Sequence, residues 1–368
     1  MTRSVEVSGA AAVHLLPLLQ DVAHAKAMSL ADWDSTLRLA RQARVLGVLA
    51  HRLRNRDAVW AALPQPVTGH LRGSINYAAH RAQMVRMELA ALDGALPPDL
   101  TVTVLKGAAY QLQGVPIAQG RNPNDVDLLV RREDLDRAEA ALKAAGWVSE
   151  VKDDYDQRYY REWSHELPPM RYPGHALEVD LHHTIAPVTS RTRADDELLF
   201  GGLVALPDSR FRVLDPCDQI IHAAVHLFQD SELDGRLRDL VDIDGLIRFH
   251  VRDDATWTRL LTRASEHRSD RVLWYALHYC RKWLATPVPD AVLQAAPATI
   301  KRYAMEWVFS RSGLPHLPDR PPGPGLRTAF ALGRLRYHLL RMPPGLLLRH
   351  LVHKAWTKRF ASRSASPK

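Results

Sequence analysis

Cysteine is almost missing from this chain. Its 368 residues hold two, Cys217 and Cys280, too few for a disulfide framework, so a reducing cytoplasmic compartment is the expectation. Long apolar runs are missing as well: no uninterrupted stretch approaches the roughly 20 residues that span a bilayer. No secretory leader is read at the N-terminus, where Glu6 follows Arg3 and the apolar stretch is broken by His14 and Pro17. Internal repeats are absent. Acidic residues are absent from the C-terminal stretch: from Pro321 to Lys368 there are ten Lys or Arg and no Asp or Glu. The whole chain carries +8, so the tail supplies all of the excess and the rest is slightly acidic. Leucines mixed with Arg and Lys in that tail suit peripheral contact with an anionic membrane surface, such as the inner membrane, or with nucleic-acid phosphates. A basic helix pair packed on the body would look the same.

What is present divides into four parts. Residues 1–96 read as an N-terminal helical region. Leu30, Trp33, Leu37, Ala40 and Leu46 recur at helical spacing behind Ser29 as N-cap, and a second helix is expected from Gly73 to Leu92, before the Pro97-Pro98 breaker. Residues 97–206 change period. A β-branched strand at Leu100–Leu105 leads through Lys106-Gly107 into a short helix at Ala108–Leu112, and 114–124 reads as loop. A strand follows at Val126–Val130, then a helix over Asp134–Ala145 with Gly146 past its end, then a strand at Leu177–Leu181 where apolar and acidic residues alternate. Residues 207–314 return to helix, with segments at Asp218–Phe228, Leu237–Phe249, Thr256–His267 and Val272–Leu284. Residues 315–368 comprise a linker, Pro315–Gly325 with five prolines and two glycines, and the basic amphipathic tail. The pattern is α+β: a small mixed-sheet core flanked by helical regions.

The chemistry-bearing feature is Asn124-Asp125-Val126-Asp127-Leu128-Leu129-Val130. On a strand, positions i and i+2 point the same way, so Asp125 and Asp127 share a face while Val126, Leu128 and Val130 turn to the core. Adjacent like charges repel, and a cation between them relieves the repulsion. Two hard carboxylates suit Mg²⁺, with Mn²⁺ as an alternative, which takes one or two carboxylates plus substrate phosphates. A lone D-x-D is weak evidence, since most are surface turns.

The order Val104-Leu105-Lys106-Gly107, then Arg121, then Asp125-Val126-Asp127-Leu128-Leu129-Val130, then Val179-Asp180-Leu181-His182 resembles the uncharacterised bacterial nucleotidyltransferase-like family of the DNA polymerase β-type superfamily. The likeness covers residues 100 to 185, and a weaker one extends through His222, His226, Arg238, Asp239 and Asp242. It implies a nucleotidyltransferase core in which Asp125 and Asp127 bind two metal ions and Asp180 completes the metal site or acts as general base. Gly107 would let phosphate approach the backbone at a helix start, and Lys106 and Arg121 would neutralise phosphate charge. It further implies Mg²⁺-dependent transfer of a nucleoside monophosphate from an NTP to an unidentified acceptor (saccharide, peptide, small molecule or RNA), with release of pyrophosphate. The sequence departs from many superfamily members in having Ala108 where a serine follows the turn glycine, and in a longer run from Gly107 to Asp125.

Plainer readings stand beside these. Glu178 lies on the same strand face as Asp180 and is the rival third carboxylate; Asp180 is preferred because His182 follows it. Arg121 would equally well pair with Asp125. His222 and His226 have i, i+4 ligand spacing, but Ala223 stands where a zinc protease has glutamate, so they read as structural. Arg238, Asp239 and Asp242 read as an intrahelical ion-pair network. The alternative function is a non-catalytic, antitoxin-like binding module that keeps the fold. An aspartyl phosphatase is excluded by Leu129 where that chemistry needs Thr.

Overall fold

The computed structural model describes residues 11–149, 151, 160–186, 188, 194–229, 232–341 and 345. Five helices precede the sheet: α1 Leu16–Gln20, α2 Leu30–Gln42, α3 Leu46–Arg54, α4 Asp57–Trp60 and α5 Gln65–Ala95. Helix α2 starts at a capping box, with the Asp32 N–H donating to Ser29 Oγ at 3.3 Å and the Ser29 N–H to Asp32 Oδ2 at 2.9 Å. Helix α5 begins eight residues before the expected Gly73. Gly69 and Gly73 weaken it locally, but Val67, Leu71, Ala78, Val85, Leu89 and Leu92 form one buried stripe that holds all of it against the body.

The sheet has seven strands: β1 Thr103–Val104, β2 Asp125–Leu129, β3 Val148–Ser149, β4 Met170–Arg171, β5 Glu178–His182, β6 Val204–Ala205 and β7 Arg212–Val213. Their order is β3-β4-β5-β2-β1-β7-β6. The pairs β2–β5 and β1–β7 are parallel, and the other four are antiparallel. Only two residues of the expected 100–105 strand pair as β1, while Leu100, Val102 and Leu105 are buried beside it. Helix α6 Lys106–Leu112 follows β1, and α7 Leu135–Ala144 follows β2. Gly146, at φ +108°, turns the chain after α7 as its position predicts.

The segment from 114 to 124 is loop with a 3₁₀ turn at Pro116–Gly120. A Cβ on Gly47 would stand 2.3 Å from the Gly120 carbonyl oxygen, so α3 and this turn meet backbone to backbone, which only glycine permits.

Helices α8 Asp196–Gly201, α9 Pro216–Phe228, α10 Leu237–His250, α11 Asp254–Glu266, α12 Asp270–Leu284, α13 Thr299–Ser312 and α14 Pro324–Arg341 complete the described chain. Phe228, Tyr279, Trp283 and Phe309 interlock there, with ring centroids 4.6–6.0 Å apart. A single buried apolar cluster runs from Leu15 to Leu317 through the N-terminal helices, the sheet and the C-terminal helices.

The expected Pro315–Gly325 linker is irregular chain, exposed over 318–325 and anchored at its start. Leu314 and Leu317 are buried, and Asp319 accepts from Arg38 of α2 at 2.6 Å. Its prolines forbid helix without forbidding contact. Helix α14 begins inside it at Pro324 and leaves Leu332, Leu335 and Leu339 exposed. Most of the basic tail beyond Arg341 lies outside the described residues. Among the described residues no helix is long and apolar enough to cross a membrane.

Candidate functional site

Parallel pairing of β2 with β5 sets the site. Its register places Asp125 opposite Glu178, Asp127 opposite Asp180 and Leu129 opposite His182. Side chains at opposed positions of adjacent strands share a face, so the acidic residues converge while Val126, Leu128, Val179 and Leu181 are fully buried in the core. Arg81 of α5 fixes where β2 begins by donating to the Pro123 carbonyl through Nε at 2.9 Å and Nη2 at 2.5 Å.

Asp127 is 3% exposed. Its Oδ1 accepts from Lys106 Nζ at 2.6 Å and stands 2.9 Å from His182 Nε2. Burial alone would raise this carboxyl, but Lys106 and His182 reverse that and hold it well below the usual carboxylate range. Burial opposes the Lys106 charge in turn, yet Asp127 and Glu166 raise the ammonium above its ordinary value. Lys106 sits at φ +47°, a left-handed conformation costly for a residue with a Cβ. That turn is what points the first residue of α6 back at β2.

Asp180 is the contrasting member. Its Oδ1 is buried and has no hydrogen-bond partner. Desolvation, with the charges of Asp127 and Glu166 beside it, pushes this carboxyl up to about 8. Asp125, at the accessible mouth, is also raised, by partial loss of water and by Asp127, against the pull of Lys106, Arg121 and Arg238. Glu178 faces Arg171 at 2.5 Å and is half exposed. It is spoken for, whereas Asp180 is not.

Arg121 does not pair with Asp125. Its Nη2 reaches Asp242 Oδ2 of α10 at 3.2 Å, and the guanidinium lies 5.3 Å from the Tyr110 ring centroid. Arg121 Nη1 and Asp242 Oδ1 are buried without partners. A Cβ on Gly107 would stand 2.9 Å from Arg121 Nη1. The close approach that glycine allows here is therefore made by this guanidinium, where the sequence suggested an open backbone cradle for phosphate. Asp239 pairs along its own helix with Arg236 at 2.9 Å and lies 3.7 Å from Arg238, as an intrahelical network should, but Asp242 crosses to the core. His222 and His226 of α9 are held neutral, their acidity increased first by burial and then by the Lys106 charge.

Two further groups had no signal in the sequence reading. His165 and Glu166 reach the cluster because Glu166 bridges His182 across an antiparallel contact, with the Leu167 N–H donating to the Leu181 carbonyl and the His183 N–H to the His165 carbonyl, both at 2.9 Å. Glu166 Oε2 lies 3.4 Å from His182 Nε2 and 3.5 Å from His165 Nε2. A polar residue pair ahead of a strand is common, and nothing local marks this one.

Cavities lie beyond the acidic cluster. One of about 460 Å³ is lined by Arg44, Arg236, Arg238, Asp239 and Arg320, and its Arg238 also acts on the Asp125 charge. Another of about 650 Å³ lies behind the Pro116–Gly120 turn, away from the carboxylates; its Arg52 and Arg248 are already bound to Asp244.

A small mixed sheet with helical flanks, carrying acidic side chains on paired parallel strands behind a Lys-Gly turn, defines an α+β protein of nucleotidyltransferase type. The chain belongs to the family described as uncharacterised nucleotidyltransferase, whose sequence model matches residues 29–285. No curated protein matches it.

Proposed function

We propose that this chain is a divalent-cation-dependent enzyme of the DNA polymerase β-type superfamily. It would move a nucleoside monophosphate from an NTP to an acceptor nucleophile and release pyrophosphate. One observation carries the reading: Asp127 and Asp180 face each other in register with Asp125 two residues away, and Asp180 holds a buried oxygen that no described residue satisfies. A fold that keeps an unpartnered buried carboxyl oxygen beside a second carboxylate has been left with room for a cation.

The residues fit Mg²⁺ or Mn²⁺ through oxygen donors from Asp125, Asp127 and Asp180. When bound, the ions would shield the triphosphate and lower the pKa of the attacking hydroxyl. Lys106 holds the Asp127 carboxylate in one orientation. Arg121, fixed by Asp242 below and Gly107 beside it, offers an unused Nη1 donor to a phosphate oxygen. Asp180, poised near pH 8 in the absence of a cation, is placed to take the acceptor's proton. Reacting groups held in line by fixed charges need no covalent help from the protein. The arginine-lined cavity, whose Arg238 acts on the Asp125 charge, would form the acceptor side. The basic stretch, with Leu332, Leu335 and Leu339 exposed on α14, favours peripheral contact with an anionic membrane.

The test is label fate. Chain incubated with Mg²⁺ and NTP labelled at either the α- or the γ-phosphate, with candidate acceptors, should pass on the α label only and release unlabelled pyrophosphate from α-labelled substrate. Transfer of γ label, or no affinity for Mg²⁺–NTP in folded protein, refutes the reading. Retention of full biological function in Asp125→Asn and Asp127→Asn would favour the non-catalytic module.

A further inference from the structure

His165, Glu166 and His182 present one ligand atom each within 4.8 Å of one another, and Asp127 Oδ1 stands 2.9 Å from His182 Nε2, outside the group. We propose that these three side chains form a site for a borderline divalent transition ion, Zn²⁺ first, chemically distinct from the all-carboxylate Mg²⁺ site beside it.

The distances are those of a coordination shell. With metal–ligand bonds near 2.1 Å, tetrahedral ligand atoms stand about 3.4 Å apart and octahedral ones about 3.0 Å. The contacts of Glu166 with His182 and His165 are 3.4 and 3.5 Å. Both imidazoles approach the same oxygen of Glu166, as ligands around one centre do.

The backbone holds this arrangement in place. Strand β5 carries His182, and the bridge from residues 165–167 to 181–183 carries the other two, so the ligands do not depend on a long loop's fluctuations. His182 is fully buried and His165 nearly so, which lowers the entropy lost on binding.

Charge favours a cation as well. Asp125, Asp127 and Glu166 outnumber Lys106 by two when the imidazoles are neutral and Asp180 keeps its proton, while Arg121, Arg236 and Arg238 lie toward Asp242 and Asp239. Donor type sets the ion: two imidazoles with a carboxylate prefer Zn²⁺ and its neighbours over Mg²⁺, which seeks oxygen and keeps its waters.

The proposal does not rest on nucleotidyl transfer, and its test needs no nucleotide. Untagged full-length chain, stripped with chelator, is titrated with Zn²⁺ against a chromogenic competitor in excess Mg²⁺. One Zn²⁺ per chain should bind and resist the Mg²⁺. His165→Ala and Glu166→Gln should each weaken that ion by at least about a hundredfold, since loss of outer-sphere partners alone costs ten- to a hundredfold. Asp125→Asn, which removes a Mg²⁺ ligand only, should keep it. Circular dichroism confirms that each variant folds, and Glu166→Gln, nearly isosteric, is the decisive one if His165→Ala does not. Co²⁺ in place of Zn²⁺ should give the visible absorption of a four-coordinate nitrogen–oxygen site. Unchanged Zn²⁺ affinity in folded Glu166→Gln, or wild-type binding that Mg²⁺ displaces, overturns the proposal. Loss of Mg²⁺–NTP binding in Asp125→Asn with Zn²⁺ retained separates this site from the proposed catalytic one.

Discussion

Buried aspartates occur twice in this molecule, in opposite condition. In the C-terminal helices Asp218 is fully buried and completely answered: Arg263 donates to both oxygens at 2.8 and 2.7 Å, and His267 Nε2 stands 3.1 Å away. Burial alone would raise its carboxyl, but these partners hold it below the ordinary value. Asp244 is hydrogen-bonded by Arg52, Arg248 and Thr286 at 3.1, 2.6 and 2.7 Å. In the cleft, Asp180 has an orphaned oxygen and a carboxyl at about 8, and Asp242 has an orphaned oxygen and a raised carboxyl. The contrast separates aspartates that hold the fold from aspartates that the fold holds ready. Only the second kind leaves a ligand something to satisfy.

The largest effect expected in the cleft is on transfer. Asp127→Asn should lower α-phosphate transfer by about a thousandfold or more, about 4 kcal/mol of barrier, with the fold intact by circular dichroism. In the helical region the loss falls on stability instead. Asp218→Ala strands Arg263 and His267 and should cost about 3–5 kcal/mol in denaturant unfolding, leaving Mg²⁺–NTP affinity unchanged in the fraction that folds. The opposite sign is expected at Asp180. Its folded carboxyl lies near 8 against an ordinary 3.8, so the cation-free folded chain keeps a proton that the unfolded chain releases. Stability therefore falls as pH rises from about 4 to 8. Asp180→Asn removes this penalty and should stabilise the cation-free chain at pH 7 by about 1–3 kcal/mol, while abolishing the gain in melting temperature from Mg²⁺. The smallest effect is the pH slope of Mg²⁺–NTP affinity. Below pH 8 a proton must leave, so affinity should climb with pH by up to about tenfold per unit and level above 8. Asp180→Asn should flatten that profile, and an unchanged slope would tie the proton to another group.

The sequence exposed the centre of the site and little of its surroundings. Two carboxylates opening an apolar run at Asp125–Val130, and strict alternation over Leu177–Leu181, mark two strands at the sequence level. Strands β3, β4, β6 and β7 pair over two residues each and have no period to read. Arg121 stands four residues from Asp125 and suggested that pairing; the structure gives it Asp242, more than a hundred residues on, because the Pro116–Gly120 turn wedges between α3 and α10. Glycine at 107 signalled a close approach, read as phosphate; the structure brings the Arg121 guanidinium there. His165 and Glu166 are brought in by an isolated bridge to β5, a long-range contact with no local pattern. Proline density at 315–325 identified irregular chain and missed that Leu317 packs.

The most direct test is a crystal of the chain with Mn²⁺ and a non-hydrolysable NTP, with the metal located by its anomalous signal. The account predicts manganese between Asp125, Asp127 and Asp180, with the triphosphate on it and Arg121 Nη1 at a phosphate oxygen. Nucleotide bound elsewhere, or bound here with no metal beside Asp180, would contradict it.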